Sequence, residues 1–140
     1  MLRQRKKILV VDNDEDLLIA LERVLEENGY DTTTAWDLPE GLGLMNSSGF
    51  DLLLIGDHPP ELNCERVLKL LRREDVKVPC IVMHSAARHP FSEPYLRFLG
   101  ASGIACKWNA EEVTAEVERC LAPKPAMAPM VMRAVAGRAG

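Results

Sequence analysis

The chain lacks the features that would mark several functional classes. Its 21 acidic residues outnumber its 17 basic ones, for a net charge of −4. That balance argues against nonspecific nucleic-acid or membrane-surface binding, which needs a basic surface. No stretch approaches the ~20 apolar residues of a membrane span. The basic start, Met1 to Lys7, is not followed by a signal-peptide h-region, because Asp12, Asp14 and Glu15 interrupt it. A cytoplasmic location is expected. The four cysteines, Cys64, Cys80, Cys106 and Cys120, form no Cys-x-x-Cys pair and no zinc-like spacing. Buried thiols in a reducing compartment are the expectation. A glycine-rich dinucleotide fingerprint, a P-loop and a nucleophile elbow are all missing, which leaves nucleotide enzymes and hydrolases without a motif.

Two apolar runs stand out against these absences, and each ends in aspartate: Ile8-Leu9-Val10-Val11-Asp12 and Leu52-Leu53-Leu54-Ile55-Gly56-Asp57. A run apolar on both faces and about five residues long reads as a strand buried inside a parallel sheet. Strand and helix signals alternate five times. Strands are expected at Ile8–Asp12, Asp31–Ala35, Leu52–Gly56, Cys80–Met83 and Gly103–Lys107. Helices are expected after each: one stopping at Gly29, then about Leu38–Asn46, Asn63–Arg73, about Ser92–Leu99, and one starting at Asn109 with Glu112 as a capping box and running to Leu121. Such alternation across short links implies a parallel α/β sheet with right-handed crossovers. Ligands of such sheets bind beyond the carboxyl ends of the strands, where the two aspartates lie.

An acidic start after the first strand, an aspartate near the end of the third and Lys107 ending the fifth form a specific combination. From about Lys7 to Leu121 the chain resembles the receiver domain of two-component response regulators. The resemblance implies a flavodoxin-like doubly wound five-stranded parallel sheet, (βα)5, in strand order 2-1-3-4-5, and a signalling module rather than an enzyme. It also implies a histidine kinase as partner, a phosphoryl group passed to an aspartate ending the third strand, and Mg²⁺ held by an acidic pair.

Position by position, the resemblance fits unevenly. Asp12 takes the first acidic position, but Asn13 takes the second, where an amide oxygen brings no charge to a metal. Asp14 is expected as the N-cap of the following helix, with Glu15 and Asp16 at its positive end. Counting five residues from Asp51 puts Gly56, not Asp57, in the acceptor register, and Pro60 four residues on keeps that register without a gap. A one-residue slip turns a side chain to the opposite face, although a bulge at Gly56 could return Asp57 to the crevice. His84 stands where the family has Ser or Thr, with Ser85 one residue late. Ile104 replaces the usual aromatic, and Trp108 replaces the proline that commonly follows the lysine.

The leading expectation is therefore an atypical, or pseudo-, receiver with a degenerate acceptor site, weak or absent Mg²⁺ at Asp12, Asn13 and Asp57, and output through protein contacts. A working phosphoreceiver using Asp57 with Lys107, His84 and Ser85 is the alternative. A metal-dependent hydrolase on the same fold, or a transition-metal set of His58, His84, Asp12 and Asp57, is more remote. Leu96 and Leu99 are expected to face the core, leaving Tyr95, Phe98 and Trp108 as candidate interface residues. The resemblance places dimer and target docking, including a homodimer, on this face of the fourth helix, fifth strand and fifth helix. No nucleic-acid or membrane partner is expected. The receiver-like domain is expected over residues 1–122, and the Pro/Ala/Met-rich residues 123–140 as a tail or linker with no room for a DNA-binding domain.

Overall fold

The structure is a computed structural model that describes residues 4–85 and 92–123. Ten elements alternate along it: β1 (Lys7–Val11), α1 (Glu15–Glu27), β2 (Asp31–Ala35), α2 (Leu38–Ser47), β3 (Leu52–Gly56), α3 (Cys64–Arg73), β4 (Cys80–His84), α4 (Glu93–Phe98), β5 (Gly103–Cys106) and α5 (Ala110–Leu121). Their order and type match the sequence expectation. Asp12 and Lys107 fall just past their strands, and β4 runs one residue further, to His84. The tail proposed from residue 123 lies, from residue 124 on, outside the described residues.

The five strands form one parallel sheet in the order β2-β1-β3-β4-β5. This is the flavodoxin-like α/β arrangement. β1, β3 and β4 are central, which explains why their sequences are apolar at consecutive positions: alternate side chains enter two separate cores. On one face, Leu9, Val11, Leu53, Ile55 and Val82 pack with Val67, Leu68 and Leu71 of α3 and Leu96 of α4. On the other, Ile8, Val10, Leu52, Leu54, Ile81, Met83 and Ala105 pack with Leu17, Leu18, Leu21 and Leu25 of α1 and Val113 and Val117 of α5. β2 is an edge strand and is only partly covered, in keeping with its Thr32-Thr33-Thr34 core.

Every helix starts with a side-chain cap. Asp14, Asp37, Asn63, Ser92 and Asn109 accept from Leu17, Glu40, Arg66, Tyr95 and Glu112 amides at 2.9–3.3 Å. Each such cap contributes about 1 kcal/mol, and together they fix where the chain leaves the carboxyl edge of the sheet. The capping box expected at α5 is only half formed. Asn109 caps the helix, but Glu112 Oε1 accepts from the Cys106 amide at 3.2 Å, so it ties α5 to β5 instead. At α2 Asp37 caps the helix, and Glu40 Oε1 reaches past it to accept from the amide of Trp36, the residue before the cap. Gly29 closes α1 with φ +93°, a left-handed conformation that favours glycine.

Candidate functional site

Alternation along the strands decides what meets at the carboxyl edge. Asp12 continues the face of Ile8 and Val10, and Lys107 that of Gly103 and Ala105. Both side chains therefore reach the same side of the sheet, and there they pair: Lys107 Nζ donates to Asp12 Oδ2 at 2.9 Å, with the side chains 4% and 0% exposed. The other Asp12 oxygen, Oδ1, accepts from the Asp14 amide at 2.8 Å. Both oxygens of this carboxylate are thus engaged by the protein.

Gly56 lies against the same pair. It pairs with Met83 in regular parallel register, and the ladder continues with the Asp57 amide donating to Met83 O at 2.7 Å. The bulge that could have returned Asp57 to the crevice does not form. A Cβ added to Gly56 would come 1.7 Å from Asp12 Oδ2 and 2.7 Å from its Cγ. The Asp12 carboxylate therefore occupies the space into which a side chain in the acceptor register would project.

Asp57, one residue on, shares the face of Leu53 and Ile55, the α3 side. Its Oδ1 accepts from the Cys64 amide, the first of α3, at 3.0 Å. The Asp57 carboxylate also accepts from the Cys64 thiol. Burial first, and then the nearby Asp57 charge, push that thiol up to about 12. A carboxylate at a helix N-terminus is favoured by the unpaired amides and the helix dipole. Asp57 thus anchors the start of α3. Cys64 is the buried thiol the sequence led us to expect; its pairing with Asp57 was not read there, and the available signal was its place beside the N-cap Asn63, at the first turn of a helix following an acidic loop.

The remaining expected residues are dispersed. Asn13 is half-buried, His58 and Ser85 are exposed and His84 is half-exposed. The His84 carbonyl accepts from the Lys107 amide at 2.8 Å. Ile104 packs on the α3-side core. Among the described residues, no three His, Cys, Asp or Glu side chains are placed to hold a metal ion, so the set of His58, His84, Asp12 and Asp57 does not converge. The fit to Mg²⁺ is also poor. Asp12 has both oxygens engaged, Asn13 brings no charge and Gly56 brings no carboxylate, whereas Mg²⁺ requires oxygen ligands in near-octahedral array.

Leu96 and Leu99 are buried as expected. Phe98 and Trp108 are 71% and 56% exposed. Tyr95 differs from the expectation: it is half-buried against the α3-side core, and its hydroxyl donates to Glu65 of α3. Its spacing from Leu96 and Leu99 put it on the outer stripe of α4, but the neighbouring α3 covers that stripe. The Arg72 guanidinium sits 5.9 Å from the Phe98 ring centroid and donates to Phe98 O at 2.8 Å, a second α3–α4 tie.

This architecture and the lysine–aspartate edge match a known family. The family model of the response regulator receiver domain matches residues 8–118. The chain is a receiver domain. It is 34% identical over 125 residues to the alkaline phosphatase synthesis transcriptional regulatory protein PhoP of Bacillus subtilis, an alignment that covers 89% of this chain and 52% of PhoP. The chain thus spans about half the length of that relative. Among solved structures, the receiver domain of Francisella response regulator 1452 matches with a TM-score of 0.73 and 26% identity, covering 83% of this chain and 96% of that one. The Vibrio cholerae chemotaxis protein CheY4 shares the fold with a TM-score of 0.74 at 22% identity, over 84% of this chain and all of CheY4. Receiver domains are two-component signalling modules that interact with histidine kinases and effector domains, and they commonly bind Mg²⁺ at the phosphorylation site.

Proposed function

We propose that this receiver is atypical, with a degenerate phosphoacceptor site, and that it signals through protein contacts rather than through a stable aspartyl phosphate. One observation carries the reading: Gly56 holds the acceptor register in an unbroken strand, and the Asp12 carboxylate, paired to Lys107, fills the space beside it. Phosphoryl transfer needs an accessible acceptor and cations around the transferring oxygens. Here the lysine's charge is spent on Asp12, and Asp57 is directed to the first amide of α3. With this donor set, no step is assigned to a metal.

Contacts are made by Phe98 and Trp108, the exposed aromatics of α4 and of the turn after β5. Exposed aromatics of this kind favour protein interfaces. The face suits a kinase, another signalling protein or a second copy. Location is cytoplasmic, and residues 1–122 form the receiver unit with residues 123–140 as a tail.

The decisive experiment is incubation with acetyl phosphate and Mg²⁺, read by intact mass. Most of the protein should remain unmodified. A stoichiometric single-phosphoryl adduct that disappears in Asp57→Asn would establish Asp57 as a working acceptor and overturn the reading. Trp108 fluorescence supplies a second check, since it directly follows Lys107 in the chain. Mg²⁺ should give no saturable quenching below about 1 mM, given the lost ligand charge.

A further inference from the structure

Away from the pocket, α3 carries a charge opposite to that of the chain. It holds Arg66, Lys69, Arg72 and Arg73 against Glu65, in a protein whose net charge is −4. Arg66, Lys69 and Arg73 follow i, i+3, i+7 spacing, so they share one stripe, and all three are exposed. Together with Leu70 and with Leu38 from the first turn of α2, they line a groove of about 370 Å³. Leu38 and Leu70 form its apolar floor, half-buried.

The cations are largely uncompensated. Lys69 has Glu65 at 3.7 Å, while Arg66 and Arg73 make no ion pair among the described residues. The acidic residues of the α2 start face other duties: Asp37 caps α2, and Glu40 accepts from the Trp36 amide.

We infer that this groove docks an acidic amphipathic helix of a partner protein. An aliphatic side chain of that helix rests on Leu38 and Leu70, and its carboxylates meet Arg66 and Arg73. From residue 66 to residue 73, α3 advances about 10 Å, the distance over which a facing helix presents carboxylates at i and i+7. An apolar floor between so few cations suits such a helix better than a phosphate backbone, which binds wide basic surfaces. The chain's own residues 124–140 do not fit, because they carry Lys124, Arg133 and Arg138 and no acid. The surface is distinct from the exposed aromatics Phe98 and Trp108, and its use does not depend on whether Asp57 is modified.

The test uses the full chain and a capped, fluorescein-labelled 14-residue helical peptide of Glu and Leu, read by anisotropy. A peptide with every Glu replaced by Lys and a single-stranded oligothymidine serve as controls. The Glu peptide should bind with a dissociation constant below about 1 mM, and Arg66→Glu with Arg73→Glu should weaken it about tenfold or more. In a Trp108→Phe background, Trp36 is the only tryptophan, and it lies 55% exposed two residues before Leu38. Its fluorescence should change on binding. Both arginines are exposed, so the variant should fold. Arg66→Gln with Arg73→Gln, expected to show a smaller loss in the same direction, stands in should the reversal unfold. The proposal is overturned if the Glu peptide fails to bind, if wild type and variants bind it alike, or if the oligonucleotide binds more tightly. Self-association of the wild type that the reversed variant loses would assign the groove to a second copy, and would overturn it too.

Discussion

Removing the Lys107 ammonium tests the electrostatics of the pocket most directly. In Lys107→Met the Asp12 carboxylate stays fully buried, with the Asp14 amide as its remaining partner among the described residues. Breaking a buried pair from one side costs about 3–5 kcal/mol, because an uncompensated charge remains in a poorly solvated site. A typical domain holds only about 5–15 kcal/mol in total, so Lys107→Met should lower the midpoint of thermal unfolding by about 10 °C or more. The exposed Lys77–Asp75 pair, at 2.8 Å, offers a contrast: Lys77→Met should cost at most about 1 kcal/mol. Adding Asp12→Asn to Lys107→Met removes the buried charge altogether and should recover more than half of the loss. Urea unfolding followed by circular dichroism measures all four proteins, and an unchanged slope certifies the comparison. A loss below about 1 kcal/mol for Lys107→Met, or no recovery in the double variant, would refute the view that this pair closes the pocket.

Four further outcomes are expected. Gly56→Asp in an Asp57→Asn background places a carboxylate in the acceptor register and forces the Asp12 side chain to swing away; this variant should gain a phosphoryl adduct from acetyl phosphate and Mg²⁺ by intact mass, and remaining unmodified would count against the register. Burial pushes the Cys64 and Cys80 thiols from their ordinary 9.0 up to about 12, so at pH 8 a thiol reagent should spare both until the protein is unfolded. Because a raised thiol value favours the protonated folded form, this contribution to stability is complete below pH 9.0 and is lost as pH rises toward 12; a unfolding free energy flat across that range would contradict it. Phe98→Ala with Trp108→Ala should weaken self-association or partner binding in analytical ultracentrifugation while the circular dichroism spectrum is kept, and normal association of the folded variant would place the interface elsewhere.

The parallel sheet was legible in the chain because burial on both faces writes itself as continuous apolar runs, as in Leu52–Ile55 and Ile8–Val11. Helix starts were legible for a similar local reason: Asp14, Asn63 and Asn109 satisfy amides three residues away, within reach of sequence alone. The slip between Gly56 and Asp57 was also visible, since counting from Asp51 to Pro60 needs no coordinates. What counting could not supply was the consequence. Whether β3 bulges depends on its pairing with Met83, and whether the vacated space stays open depends on Asp12 and Lys107, 95 residues apart in the chain. Tyr95 was misjudged for the same kind of reason: helical spacing gives the stripe it occupies, but not that α3 and Glu65 cover it. Period and capping are short-range properties that each segment carries within itself. The Asp12–Lys107 pairing beside Gly56 joins the ends of β1 and β5, which the sheet brings together, and only the tertiary structure decides it.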